Sequence, residues 1–248
     1  MLSLITFFKS KKIQGYKILT LLICISNVTS GYSLEETDNS HITNKEVYEK
    51  LNYKINLNLK FTDGDGKTET LQEIFSRQKV TILTLNYYKC TTMCVFQYAN
   101  LAQTLKQINW PIGKDFQVVS ISFDPNDTFE SAKKLQNTWI PKTGQNNAKW
   151  NFYLGEPSQI KALAENLNFY FEKDRETDEF AHTTALFFIK PDGTFYRYIY
   201  GMVYNEKDMK HALIETSNNK LGSFFDKITT KFSTYNPKIG RYSSSQNN

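Results

Sequence analysis

The 248-residue chain is predicted to fold as an α/β domain with a central mixed sheet flanked by helices. Three observations carry this. Strand-like apolar runs alternate with segments of helical spacing through the first two thirds of the domain, and the last third switches to two strands joined by a tight turn. No repeat, low-complexity tract or Gly/Ser linker divides residues 50 to 230.

Residues 1–30, at the start of the chain, read as a secretory signal: Lys9, Lys11, Lys12 and Lys17 precede the apolar run Ile18 to Ile25, and Val28-Thr29-Ser30 supplies small residues for cleavage. The run is much shorter than the ~20 apolar residues of a spanning helix. Its charged residues are all lysines, so the net charge of +5 belongs mostly to the signal, and the rest of the chain is near neutral. No Lys/Arg cluster interleaved with aromatics remains, and no nucleic-acid partner is expected. Residues 31–50 are polar and aperiodic and read as a linker, as residues 235–248 read as a C-terminal tail, which leaves 51–234 as the domain.

Within it, Asn58 to Thr62 alternates and Asp63-Gly64-Asp65-Gly66 supplies a turn, which predicts an N-terminal hairpin. Val80 to Tyr88 is β-branched and aromatic, a central strand covered on both faces. From Met93 the spacing is helical, with Val95, Leu101, Leu105 and Ile108 assigned to one buried face before Pro111. Phe116 to Phe123 is a second inner strand running into Asp124-Pro125. Asp127 and Glu130 resemble a capping box opening a helix from Thr128 to Ile140. A strand over Trp150 to Leu154 and a helix from Pro157 to Leu167 come next. Strands Thr184 to Ile189 and Phe195 to Tyr200 flank the turn Pro191-Asp192-Gly193, and a helix over Asp208 to Ser217 closes the domain. A β-α-β half followed by a β-β-α half, around a cysteine pair at the end of a central strand, is the thioredoxin arrangement. Trp139 to Trp150 is then an insertion into it.

Of three cysteines, Cys24 leaves with the signal, so Cys90 and Cys94 remain. A pair this close closes too small a loop to stabilise much by chain entropy. Their position, where a strand becomes a helix, favours thiolates. The spacing of four also suits a disulfide, so the pair can alternate between bonded and metal-holding forms. Four readings compete. Structural zinc wants four ligands, more than this chain offers; disulfide exchange more often uses Cys-x-x-Cys; buried inert cysteines do not account for the junction; a low-coordinate soft-metal site does.

His182 decides among them. Of three histidines, His41 lies in the linker and His211 in the last helix beside Asp208 and Lys210, both expected to be solvated surface. His182 stands just before Thr184, in the entry to a strand that faces the cysteine junction in this fold. Two thiolates and an imidazole suit copper(I), and hold copper(II) with an added oxygen ligand. Asp124 ends the second inner strand on the same sheet edge. Its carboxylate is a candidate to orient a ligand from behind, with a turn role beside Pro125 equally open.

Tyr87 through Cys94, then Val118-Val119-Ser120-Ile121-Ser122-Phe123-Asp124-Pro125, then His182 resemble the Sco/SenC family of copper-binding respiratory assembly proteins. The similarity runs from about Leu57 to Tyr242 and takes in Pro191-Asp192-Gly193-Thr194, Arg197 to Gly201 and Tyr235-Asn236-Pro237. It implies a metallochaperone that delivers copper to, or reduces cysteines in, the copper site of cytochrome c oxidase. The partner is then that copper-site subunit or another copper chaperone. Cys90, Cys94 and His182 fall on the family's metal positions. Thr91 stands where many members have proline, and Ser233 near where some have cysteine. The expected place is the periplasm or a membrane-facing compartment, with the N-terminus cleaved or kept as an anchor. The alternative is an exported thiol-disulfide reductase or redox sensor working through Cys90 and Cys94.

Overall fold

Six consecutive buried residues, Thr81–Asn86, form the middle strand of the sheet (β3), and six more, Gln117–Ser122, form its parallel neighbour (β4). The two pair from Thr81 with Gln117 to Asn86 with Ser122, so both end at the same edge. Strands buried on both faces need apolar, β-branched side chains, and the polar ones must find partners inside. Thr84 and Ser120 do so by bonding each other across the strands at 2.8 Å, and the indole N–H of Trp150 donates to Ser120 at 3.0 Å. The computed structural model describes residues 50–244, which lie within one compact unit. The signal assignment, Cys24, His41 and nearly all of the linker lie outside the described residues.

The predicted first hairpin is Lys60–Asp63 (β1) with Thr68–Thr70 (β2). Asp63 holds its turn by accepting from the N–H groups of Asp65 and Lys67 at 3.0 and 2.9 Å. A short helix, Leu71–Phe75 (α1), starts on the Thr70/Glu73 capping box. Met93–Ile108 (α2) links β3 to β4, and Phe129–Trp139 (α3) links β4 to Trp150–Leu154 (β5). A 3-10 turn at Pro141–Thr143 occupies the insertion. Pro157–Leu167 (α4) precedes two short strands, Phe171–Lys173 (β6) and Phe180–His182 (β7), which pair as a separate hairpin. Ala185–Ile189 (β8) and Phe195–Tyr200 (β9) complete the seven-stranded sheet, ordered β2-β1-β5-β4-β3-β8-β9. Its centre is parallel and both flanks are antiparallel, the mixed thioredoxin-like sheet expected. Glu206–Thr216 (α5) packs on it, followed by Phe224–Lys231 (α6) and the hairpin Ser233–Asn236 (β10) with Arg241–Ser244 (β11).

Several sequence expectations are corrected. The helix α3 is capped by Thr128 with Ser131, not by Asp127 with Glu130. A hydroxyl at each of 128 and 131 satisfies the same orphan donors, which frees Asp127 for other bonds. Val95 is exposed: the buried face of α2 runs through Cys94, Gln97, Tyr98, Leu101 and Leu105, one position out of phase with Val95. His211 is buried at 2 % exposure, edge-on to Tyr242 at 5.2 Å, because the C-terminal hairpin folds over α5. Residues 235–244, expected as part of the tail 235–248, thus belong to a hairpin of paired strands. Tyr235 accepts from the Tyr198 N–H at 3.3 Å and donates to the Tyr198 carbonyl at 2.9 Å, closing the exposed edge of β9.

Candidate metal centre

Parallel pairing of β3 and β4 places the loops Tyr87 to Thr92 and Phe123 to Asp127 side by side at the carboxyl ends of the strands. The antiparallel β8 pairs Leu83 with Phe187, so it enters the sheet at that same edge. His182, just upstream in β7, is therefore carried to the cysteines. Its Nε2 lies 3.9 Å from the Cys94 sulfur.

The orientation of the imidazole is determined by its other nitrogen. Nδ1 is 2.8 Å from the Thr183 carbonyl, which can only accept, so Nδ1 carries the proton and the Nε2 lone pair faces Cys94. The ring is enclosed by aromatic neighbours: Phe123, Phe169 and Tyr87 lie 5.1, 6.0 and 6.2 Å away, centroid to centroid. Burial among them pushes the His182 pKa below its ordinary value. A neutral, aimed imidazole is the form that binds metal.

The cysteine pair is built differently from a helical i, i+4 pair. The helix α2 starts at Met93, and Thr92 provides no side-chain cap. Cys90 sits in the preceding loop, tied by its N–H to the Tyr87 carbonyl at 3.4 Å, and its sulfur folds back to accept from the Cys94 N–H at 3.3 Å. The sulfur takes the place of the missing cap, and it gains the positive end of the helix in return. The Cys94 thiol donates to it as well, then come the backbone of Cys94, the Tyr87 hydroxyl and the Thr92 N–H; together these hold Cys90 down to about 4 against its burial. Cys94, 2 % exposed, is pushed up by that same bond to the Cys90 thiolate and by burial. Both cysteines are free. The site thus holds one half-exposed thiolate, one buried thiol and one neutral imidazole.

Among the described residues, no three His, Cys, Asp or Glu side chains are already gathered tightly enough to hold a metal ion. The three donors meet pairwise, Cys90 with Cys94 and Cys94 with His182. Thr91, Thr92 and Met93, between the two cysteines, are exposed.

Asp124 is spent on the turn: its Oδ1 accepts from the N–H and side-chain amide of Asn126 at 2.9 and 3.0 Å. Of the two roles left open for it, the turn is the one these bonds serve. Asp127, not singled out for the site in the sequence, reaches the cysteine loop instead. Its Oδ2 accepts from the Tyr88 N–H at 2.6 Å and from the Ser122 hydroxyl at 2.5 Å. Burial raises its pKa. The aromatic enclosure of His182 was also missed, although Phe169-Tyr170-Phe171 and Phe180 just ahead of the histidine signal it.

A thioredoxin-type sheet that presents two unequal thiols and a fixed imidazole at one edge defines a dithiol protein equipped with a third, metal-capable donor. The chain belongs to the SCO1/SenC family, whose model matches residues 49–217. Among curated relatives, the mitochondrial SCO1 homolog 1 of Arabidopsis thaliana is 24 % identical over 155 residues, 61 % of this chain and 43 % of that protein. The chain therefore spans less than half of that relative. Among solved structures, Arabidopsis thaliana ScoI with copper bound superposes with a TM-score of 0.53 at 22 % identity, covering 64 % of this chain and 96 % of that one. BsSco, a Sco-family cytochrome c oxidase assembly protein in which a disulfide switch was identified, gives a TM-score of 0.53 at 22 % identity over 68 % and 96 %. Both show the shared fold. Among the described residues, no helix is long and apolar enough to cross a membrane.

Proposed function

We propose that the chain is an exported carrier of copper(I) that assists assembly of the copper site of cytochrome c oxidase, with Cys90, Cys94 and His182 as its ligands. One observation carries this reading: the His182 lone pair is held toward Cys94 by the Nδ1 bond to Thr183. Attack by the Cys90 thiolate on a disulfide does not require such an imidazole. Two sulfurs and one nitrogen suit copper(I), whereas a structural zinc site would want a fourth ligand. Copper(II) needs an added oxygen donor.

Copper is cargo here. Loading displaces the proton of the Cys94 thiol, while Cys90 is already a thiolate, so one proton leaves per ion bound near neutral pH. Release proceeds from the exposed side. An incoming thiolate of the recipient adds next to Cys90, Cys90 lets go, and the buried Cys94 and His182 follow. The recipient is the copper-site subunit of the oxidase or another copper chaperone. Copper content of the protein purified from its native compartment tests this: about one copper per chain, lost in Cys90→Ser and Cys94→Ser, is expected, and metal-free or zinc-loaded protein would contradict it.

A second function, exported thiol-disulfide reductase or redox sensor, is favoured by the inequality of the two sulfurs. The Cys90 thiolate would attack a partner disulfide, releasing one partner thiolate. Cys94 would then pass its proton to the Nε2 of His182 and attack the Cys90 sulfur of the mixed disulfide, releasing the second partner thiolate, which takes up that proton. Two electrons pass to the partner and a Cys90–Cys94 disulfide remains.

A further inference from the structure

Helix α6 carries its apolar side outward. The side against the protein holds Thr230, which is buried, and Asp226, which accepts from Ser223 at 2.9 and 2.6 Å and lies 3.8 Å from Lys210 of α5. The opposite side holds Phe224 and Phe225, 73 % and 78 % exposed, with Ile228, and Phe232 follows at 63 %. At 3.6 residues per turn these four share an arc of about 100°. The two leading rings touch, 6.0 Å between centroids. Lys227 and Lys231 lie along one flank of the patch, and the single acidic residue of the helix faces away from it. The segment lies beyond residue 217, where the family match ends.

Three exposed phenylalanines on one ridge gain by leaving water. Lysine is depleted at protein interfaces but common around apolar faces that sit in a lipid headgroup region. We propose that α6 is a peripheral membrane contact: Phe224, Phe225 and Phe232 enter the boundary between headgroups and acyl chains, and the flanking lysines pair with anionic phosphates. The contact would hold the domain at the bilayer surface independently of any N-terminal anchor.

A local probe separates this from anchoring elsewhere. Phe225→Trp is introduced into the full chain, and its emission, taken as the difference from the unsubstituted protein, is followed on adding vesicles rich in phosphatidylglycerol. A blue shift with quenching by brominated acyl chains is expected, weaker on pure phosphatidylcholine. In Phe224→Ser/Phe225→Ser, partitioning of the patch should fall about tenfold or more per ring, read by the emission of an added Phe232→Trp indole on the same vesicles, with copper binding retained. An indole in the Phe225→Trp variant that stays water-exposed on anionic vesicles would overturn the proposal, as would equal quenching on both lipids. So would concentration-dependent self-association that the serine pair abolishes, which would assign the face to a second copy.

Discussion

The backbone N–H of Cys94 points at the sulfur of Cys90 across 3.3 Å, and this bond, with the thiol bond beside it, makes the two cysteines chemically unequal. Iodoacetamide at neutral pH should therefore modify Cys90 and spare Cys94. Cys94→Ala removes the thiol donor that contributes most to holding Cys90 down to about 4. The midpoint of Cys90 alkylation against pH should then move upward, as read by mass spectrometry. An unchanged midpoint would show that the backbone donors and the Tyr87 hydroxyl set it without the Cys94 thiol.

Asp127 ties the cysteine loop to the end of β4 through Tyr88 and Ser122. Asp127→Ala leaves two buried donors without their acceptor and should cost about 2–4 kcal/mol. Asp127→Asn keeps one oxygen for them and should cost much less, since the second carboxylate oxygen already lacks a partner among the described residues. Urea denaturation of the two variants compares these costs, and a weaker copper(I) affinity in the alanine variant alone would reflect loss of loop position.

The sequence made the sheet legible because its inner strands are buried on both faces and so are written as apolar runs, as in Thr81–Asn86. Cys90, Cys94 and His182 were legible as rare residues at strand ends. Their manner of meeting was not: the helix starts three residues after Cys90, and only folding shows that a sulfur serves as its cap. Asp127 looked like a cap because Asp commonly is one, and the competing hydroxyl of Thr128 decided otherwise. His211 looked solvated because its neighbours are charged. The hairpin that buries it comes from polar, aromatic residues near the C-terminus that have no apolar period to announce strands.

That hairpin gives a separable test. Tyr235→Phe keeps the ring beside Tyr198 and Tyr242 but loses the hydroxyl that bonds both backbone groups of Tyr198. A loss of about 1–2 kcal/mol is expected by chemical denaturation, with copper(I) affinity unchanged because the site lies at another part of the sheet.

His211 supplies a pH dependence. Burial, the largest cause, lowers its pKa from the ordinary 6.5. The unfolded chain then binds the proton more readily than the folded one, so the stability is fully present above 6.5 and is lost as pH falls below it. His182 acts in the same direction. His211→Phe, which preserves the packing on Tyr242, should flatten the decline in unfolding free energy between about pH 7 and about pH 5, leaving the part due to His182.

The central claim is that His182 is a copper ligand and not a bystander of thiol chemistry. Competition of a copper(I) chelator against the reduced protein, run beside thiol-exchange kinetics on the same samples, tests it most directly. His182→Ala should weaken copper(I) binding by at least about a hundredfold, roughly 2.7 kcal/mol, while Cys90 exchanges disulfides at a rate within a few-fold of the unsubstituted protein. Copper(I) affinity unchanged in His182→Ala would contradict the account and leave the dithiol as the working part of the site.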